Sequence, residues 1–162
     1  MRRSSPGRTT VARPGTWADR LRFVAAGVLL VDPAGRLLLQ LRDGHAAYHP
    51  NVWGLPGGQW EPGETVAEAA VWELYEETGL SPDGELRLFA RQELPELGWV
   101  KHYSCGATRA RQEDVVLGEG AAMLFVPAGE VLDGRPYTPG TVAVLTRFPA
   151  SPEYAGLATA GR

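Results

Sequence analysis

The segment TVAEAAVWELYEETG, residues 65–79, is bracketed as a helix at both ends, and it constrains the fold more than any other stretch of the chain. Thr65 and Glu68 have the S/T-x-x-E spacing of a capping box, in which a hydroxyl and a carboxylate satisfy free N–H groups of the first turn. Gly79 supplies the residue that tolerates a left-handed stop. With 100° per residue and Glu73 at zero, Glu76 falls at roughly 300° and Glu77 at roughly 40°, so the three carboxylates share an arc of about 100°. Ala67, Ala70, Val71, Leu74 and Thr78 fall at roughly 60° to 160° and form the stripe expected to bury against a sheet. On a solvated surface such like charges cost only about a few tenths of a kcal/mol per pair. Here they also occupy the last two turns, where the helix dipole disfavours anions. Convergent oxygen donors beside a glycine-rich loop suit a hard divalent cation, which would offset that cost.

The flanks of the helix read as strands. Leu21–Val31 and Arg36–Arg42 are β-prone runs around Asp32-Pro33-Ala34-Gly35, a hairpin turn. The segment DGHAAYHPNVWGLPGGQWEPGE follows and carries Tyr48, Trp53 and Trp60; loops of such length in compact domains are functional or disordered. ELRLFARQEL, WVKHYSCGAT and GAAMLFVP give three further strand-like runs. A last helix is expected to begin near Thr138-Pro139, with Pro139 at its first position and Val142, Leu145 and Phe148 on its apolar side. The pattern predicts one α+β domain over residues 19–149, a disordered tail over 1–18 and a second tail over 150–162.

Charge and cysteine content narrow the class. Five arginines and one aspartate give the first 20 residues a net +4, so with a whole-chain charge of −3 the remaining 142 carry −7. An acidic body argues against a nucleic-acid polymer as partner, because phosphate backbones are bound through clustered Lys and Arg. No run approaches the ~20 apolar residues that cross a bilayer, so no membrane partner is expected. Cys105 is the single cysteine and the three histidines are scattered, which excludes an internal disulfide and a zinc cluster. A cytoplasmic location, as monomer or homodimer, is the expectation.

The wider spacing identifies the chain as a member of a known family by resemblance. Gly58, five residues, Glu64, seven residues and then WELYEETGL ending at Leu80 resemble the Nudix box. Every specified position fits except Trp72, which stands where the family has arginine. WGLPGG leads into the box, and the hairpin before it and the strands after it agree, so residues from 20 to 148 are implicated; the resemblance also implies that Trp53, shortly before PGG, packs in the core and that Trp60, within the box, is exposed. The resemblance implies an α/β/α sandwich with a mixed sheet between helices. It also implies a pyrophosphohydrolase that cleaves a diphosphate linkage, with Mg²⁺ or Mn²⁺ as cofactor and a small phosphorylated substrate.

Position by position, the resemblance makes Glu76 and Glu77 metal ligands and Glu73 a ligand or the base that activates water. The Gly57 carbonyl joins the metal shell; Gly58 and Glu64 support it, Glu64 through water or by orienting the helix. Glu119 sits where many members place another acid, so the base is either Glu73 or Glu119. The chemistry is coherent, because bound metal neutralises phosphate charge and lowers the pKa of water while a carboxylate takes its proton. Trp72 cannot supply the bidentate charge of an arginine; Lys101 or Arg91 is the candidate replacement. Trp60, Trp72 and Tyr48 are candidate substrate contacts, with Trp99 and Tyr103 as further aromatics able to stack on a base. Similarity along LLLQLRDGHAAYHPNVWGLPGG favours a nucleoside triphosphate or modified nucleotide. Pro95, 15 residues beyond the box, keeps ADP-sugars open, and isoprenyl diphosphates are a further alternative. Trp72 motivates the alternative of a catalytically weak, nucleotide-binding or regulatory domain.

Overall fold

The computed structural model describes residues 23–60 and 63–160. The tail expected over residues 1–18 therefore lies outside the described residues. The first hairpin forms as the turn chemistry requires: β1 (Phe23–Val31) and β2 (Leu37–Leu41) are antiparallel, with Val31 opposite Leu37. Asp32 closes the turn, its Oδ1 accepting from the Ala34 and Arg36 N–H groups and its Oδ2 from the Arg36 guanidinium at 2.7 Å.

Among the described residues, β1 is the centre of a mixed sheet of seven strands. Along one edge it runs parallel to β6 (Trp99–Ala107), which pairs antiparallel with β5 (Arg87–Leu94). Its other edge is shared. β4 (Gly57–Gln59) takes the first half, pairing Ala25, Ala26 and Gly27 with Gln59, Gly58 and Gly57, while β2 takes the far end. β2 in turn pairs with β3 (Trp53–Gly54) and along its whole length with β7 (Ala122–Val126).

Alternation along β1 divides the core into two layers. Ala26, Val28 and Leu30 face Ala69, Ala70 and Leu74 of α1 (Val66–Thr78), while Leu29 and Val31 face Val144 and Leu145 of α2 (Thr141–Arg147) and the following Phe148. This is the expected mixed sheet between helices. No helix among the described residues is long and apolar enough to cross a membrane.

Two expectations near the C-terminus are corrected. The closing helix begins at Thr141 behind Gly140, not at Pro139; Val144 is buried where Val142 is exposed. Gly140 at φ 82° prevents the helix from starting earlier. The stretch read as a tail from residue 150 contains helix α3 (Pro152–Ala160), started by Ser151 Oγ accepting from the Tyr154 N–H. Tyr154, Leu157 and Ala158 pack on the core, and the Tyr154 hydroxyl donates to the Gly35 carbonyl at 2.7 Å. Its many small residues gave little apolar periodicity, and its anchor is a contact distant in sequence.

Candidate active site

Helix α1 has the expected ends. Thr65 and Glu68 make both halves of the capping box, and Gly79 adopts φ 71° with its N–H donating to the Tyr75 carbonyl. The segment after β6 closes the acidic end: Val116 N–H donates to the Thr78 carbonyl at 2.9 Å and Gly118 N–H to the Glu77 carbonyl at 2.8 Å. These bonds satisfy C-terminal carbonyls that a helix otherwise leaves to water. They require glycine at 118, because a Cβ there would sit 2.2 Å from the Glu76 carbonyl oxygen. The same close approach sets Glu119 beside the helix end.

The buried arc of α1 differs from the expected stripe. Ala69, Ala70, Leu74, Glu77 and Thr78 are buried, whereas Ala67 and Val71 are exposed. The helix is rolled toward β4, whose Gly57 and Gly58 have no side chains to hold it off. Glu77, only 4% exposed, therefore lies inside the packed face, and its Oε2 accepts from the Gly57 N–H at 3.0 Å. Glu73 is half-buried, and a Cβ on Gly58 would lie 2.5 Å from its carboxylate. A Cβ on Gly57 would lie 2.0 Å from the Ala26 carbonyl oxygen. Gly58 is thus bare to admit Glu73 of α1, and Gly57 is bare to admit the β1 backbone. Glu76, one residue from Glu77, is exposed.

Burial pushes the Glu77 carboxyl up to about 8; the Gly57 N–H opposes this, the charges of Glu119 and Glu73 add to it, and Arg42 opposes it. Glu73, Glu77 and Glu119 thus share one electrostatic environment. Among the described residues, no three His, Cys, Asp or Glu side chains form a ready-made metal cage. The donor chemistry nevertheless fits Mg²⁺, which commonly takes one or two carboxylates together with phosphate oxygens of a substrate. A buried carboxylate facing a second one, with one N–H as its bonded partner, is the group a divalent cation would keep ionised.

The other side of the Gly57–Gly58 wall is a cavity of about 300 Å³. Ala25 and Gly27 of β1 line it with Lys101 and Tyr103, their register partners on β6, and Trp99. Gln40 and Arg42 come from β2 and its end, Tyr48 and His49 from the long loop, and Thr138 and Thr141 from the approach to α2. Tyr48 and His49 meet the Trp99 ring nearly perpendicular, with centroids 5.6 and 5.9 Å away. Arg42 Nε donates to the Tyr48 carbonyl at 3.0 Å and so holds this loop. Thr138 is placed by its N–H, which donates to the Trp53 carbonyl at 2.8 Å.

The site residues read from the sequence separate into groups. Gly57, Gly58, Glu73 and Glu77 come together, with Glu119 near enough for its charge to act on Glu77. Tyr48, Trp99 and Tyr103 line the cavity. Trp60 and Trp72 are not among its lining residues. Trp60, expected exposed, is half-buried against the α1 layer, and its indole N–H donates to the Glu64 carbonyl at 2.7 Å, tying the loop down ahead of α1. Trp53 packs on the core as expected, under the Arg135 guanidinium at 4.7 Å. Trp72 is half-buried.

Neither proposed substitute for the missing arginine acts as one. Lys101 is on the sheet face away from α1, bonded to the Pro139 carbonyl at 3.0 Å, and Arg91 pairs with Glu93. Among the described residues, Arg42 is the basic group whose charge reaches Glu77. Sequence reasoning passed over Arg42 and Gln40 as cavity residues. The alternation of LLLQLR, with a glutamine and an arginine in an apolar run, was the signal available.

Residues 21–136 match the family described as NUDIX domain. Among curated proteins, the chain is 41% identical over 75 residues to the m7GpppN-mRNA hydrolase NUDT17 of Danio rerio, a match covering 45% of this chain and 25% of that protein. The chain thus spans about a quarter of that relative's length. Among solved structures, the MutT protein from Methanosarcina mazei Go1 superposes with a TM-score of 0.67 at 24% identity, over 79% of this chain and 93% of that one. RenU, a Nudix hydrolase from M. smegmatis, superposes with a TM-score of 0.58 at 28% identity, over 78% and 83%.

Proposed function

The chain belongs to the Nudix hydrolase family, and on that premise we propose that it hydrolyses a diphosphate linkage in a nucleoside triphosphate or modified nucleotide, with Mg²⁺ or Mn²⁺ as cofactor. One observation supports this reading above the others: a bare glycine pair, Gly57–Gly58, is the shared wall between the carboxylates of α1 and an aromatic cavity. A molecule with a planar group in the cavity can lay its phosphates across that wall toward the acids.

Glu77, Glu76 and the Gly57 carbonyl are the groups that would hold the cation, with Glu64 supporting them. When bound, such a cation supplies neutralisation of phosphate charge and a lower pKa for water. Glu73 or Glu119 takes the proton of the attacking water, since both carry charge into the surroundings of Glu77. Arg42, between the acids and the cavity, adds a positive charge that phosphates favour. Trp99 and Tyr48 offer rings for the planar group.

The test is turnover with Mg²⁺ or Mn²⁺ of nucleoside triphosphates, nucleotide sugars, isoprenyl diphosphates and a capped dinucleotide, followed by chromatographic separation of the products: phosphate or pyrophosphate from the triphosphates, a nucleoside monophosphate and a sugar phosphate from the nucleotide sugars, phosphate from the isoprenyl diphosphates, and two nucleotides from the cap. The last is included because of what the fish relative is named for. Turnover of the triphosphates, abolished by Glu77→Gln, is expected. Turnover of none, with nucleotide still bound, would replace the proposal by its second reading, a binding module; Trp72 in the arginine position is what favours that one.

A further inference from the structure

We propose that Lys101 selects the base: the cavity takes a planar group through a hydrogen-bond acceptor edge, as in an oxo-purine such as guanine, and disfavours both adenine and the cationic 7-methylguanine. This rests on the hydrolase reading only for placing the base in the cavity.

An ammonium group has three donors and no acceptor. That of Lys101 gives one N–H to the Pro139 carbonyl at 3.0 Å and lies 5.7 Å from the Trp99 ring centroid, on a cavity-lining position. Two donors are left for whatever enters. The second cation of the cavity, Arg42, is held by the Tyr48 carbonyl. No aspartate or glutamate is among the described lining residues, and neither cation has an ion-pair partner there. The cavity is therefore donor-rich and positive on one side of the glycine wall, opposite the negative α1 side. Burial, with Arg42 adding to it, pushes the Lys101 amine down to about 8, which leaves it mostly protonated at neutral pH.

Shape restricts the occupant as well. Gly27 leaves room for the Tyr103 ring, which a Cβ there would meet at 3.1 Å, and Tyr48 and His49 buttress Trp99 from the loop. A flat group fits such a slot. Guanine offers O6 and N7 as neighbouring acceptors, whereas adenine has an amino donor in place of O6. Against Lys101 that amino group sets donor against donor, and a buried site with unmatched donors rejects such a ligand. Methylation of guanine at N7 removes one acceptor and adds a positive charge facing two cations.

The experiment measures equilibrium binding of GMP, AMP and 7-methyl-GMP by quenching of tryptophan fluorescence, and turnover of GTP and ATP, in the wild type, Lys101→Met and Lys101→Arg. GMP is expected to bind roughly tenfold or more tighter than AMP or 7-methyl-GMP. The preference should collapse in Lys101→Met and persist in Lys101→Arg, with melting curves confirming that both variants fold. Equal binding, preference for AMP or 7-methyl-GMP, or a preference unchanged in Lys101→Met would overturn the assignment. GMP preference without turnover of any nucleotide would remove the hydrolase reading and leave Lys101 standing. Turnover without base preference would do the reverse, and neither binding nor turnover of any nucleotide would overturn both.

Discussion

The two sides of the Gly57–Gly58 wall are opposite in charge and in origin. On the α1 side, Glu73 and Glu77 come from one helix and approach the glycines directly, with Glu119 joining through the segment that caps the helix end. On the other side, Arg42 comes from the end of β2, Trp99 and Lys101 from β6 and Tyr48 from a loop, and no carboxylate among the described lining residues accompanies them. An acidic half built by local geometry and a cationic half built by tertiary pairing meet where two residues lack side chains. A diphosphate with an attached planar group matches that division, since its charge can be met by a cation on one side and by Arg42 on the other.

The largest effect on this arrangement is expected from filling the wall. Gly57→Ala sets a Cβ 2.0 Å from the Ala26 carbonyl oxygen at φ 153°, and should cost about 3 kcal/mol or more of stability in denaturant titration. Gly58→Ala instead meets the Glu73 carboxylate at 2.5 Å. Turnover is expected to fall about 100-fold with a smaller loss of stability, because an ångström of misplacement is enough for that. A Gly58→Ala enzyme with full activity would separate Glu73 from the chemistry.

Glu77→Gln sharpens the contrast in two ways. Activity should fall at least about 100-fold. Stability should respond to pH in the opposite sense from an ordinary carboxylate. With the folded group near 8 and its ordinary value 4.5, the folded protein holds a proton that the unfolded chain has released. The contribution is fully present below about 4.5 and is lost as pH rises through 8, a decline on the order of a few kcal/mol. Melting of the cation-free wild type across that range should show it. Glu77→Gln should flatten it, and added Mg²⁺ should restore stability at the alkaline end.

Smaller effects are expected further from the wall. Trp72→Arg should raise apparent Mg²⁺ affinity by about tenfold, the scale of a group that orients ligands; unchanged turnover and affinity would show that the position is neutral. Tyr154→Phe removes the hydroxyl bond to the Gly35 carbonyl and should cost about 1 kcal/mol, measurable by urea unfolding, with kcat unaltered.

These differences follow what could be read from the sequence. The ends of α1, the first hairpin and the later strands were legible because caps, turns and alternation are local signals. The roll of α1 was not. A helical wheel places Glu77 among acids, and only the bare surface of β4 decides that it is drawn inside. The cavity was mostly invisible, because Arg42, Lys101 and Thr138 are brought together by β1–β6 register and by the bonding of residues 136–138 to Trp53. Helix α3 was missed for a related reason, since Tyr154 is anchored to Gly35, far away in sequence.

The most direct measurement of the link between the two sides is a Mn²⁺ titration of the protein, followed by calorimetry or electron paramagnetic resonance, with and without a nucleoside diphosphate. If one ligand spans the wall, nucleotide should tighten Mn²⁺ binding, Mn²⁺ should tighten nucleotide binding by the same factor, and Glu77→Gln should abolish the coupling. Mn²⁺ and nucleotide affinities that are independent of each other would contradict the claim that the acidic face and the aromatic cavity form one site.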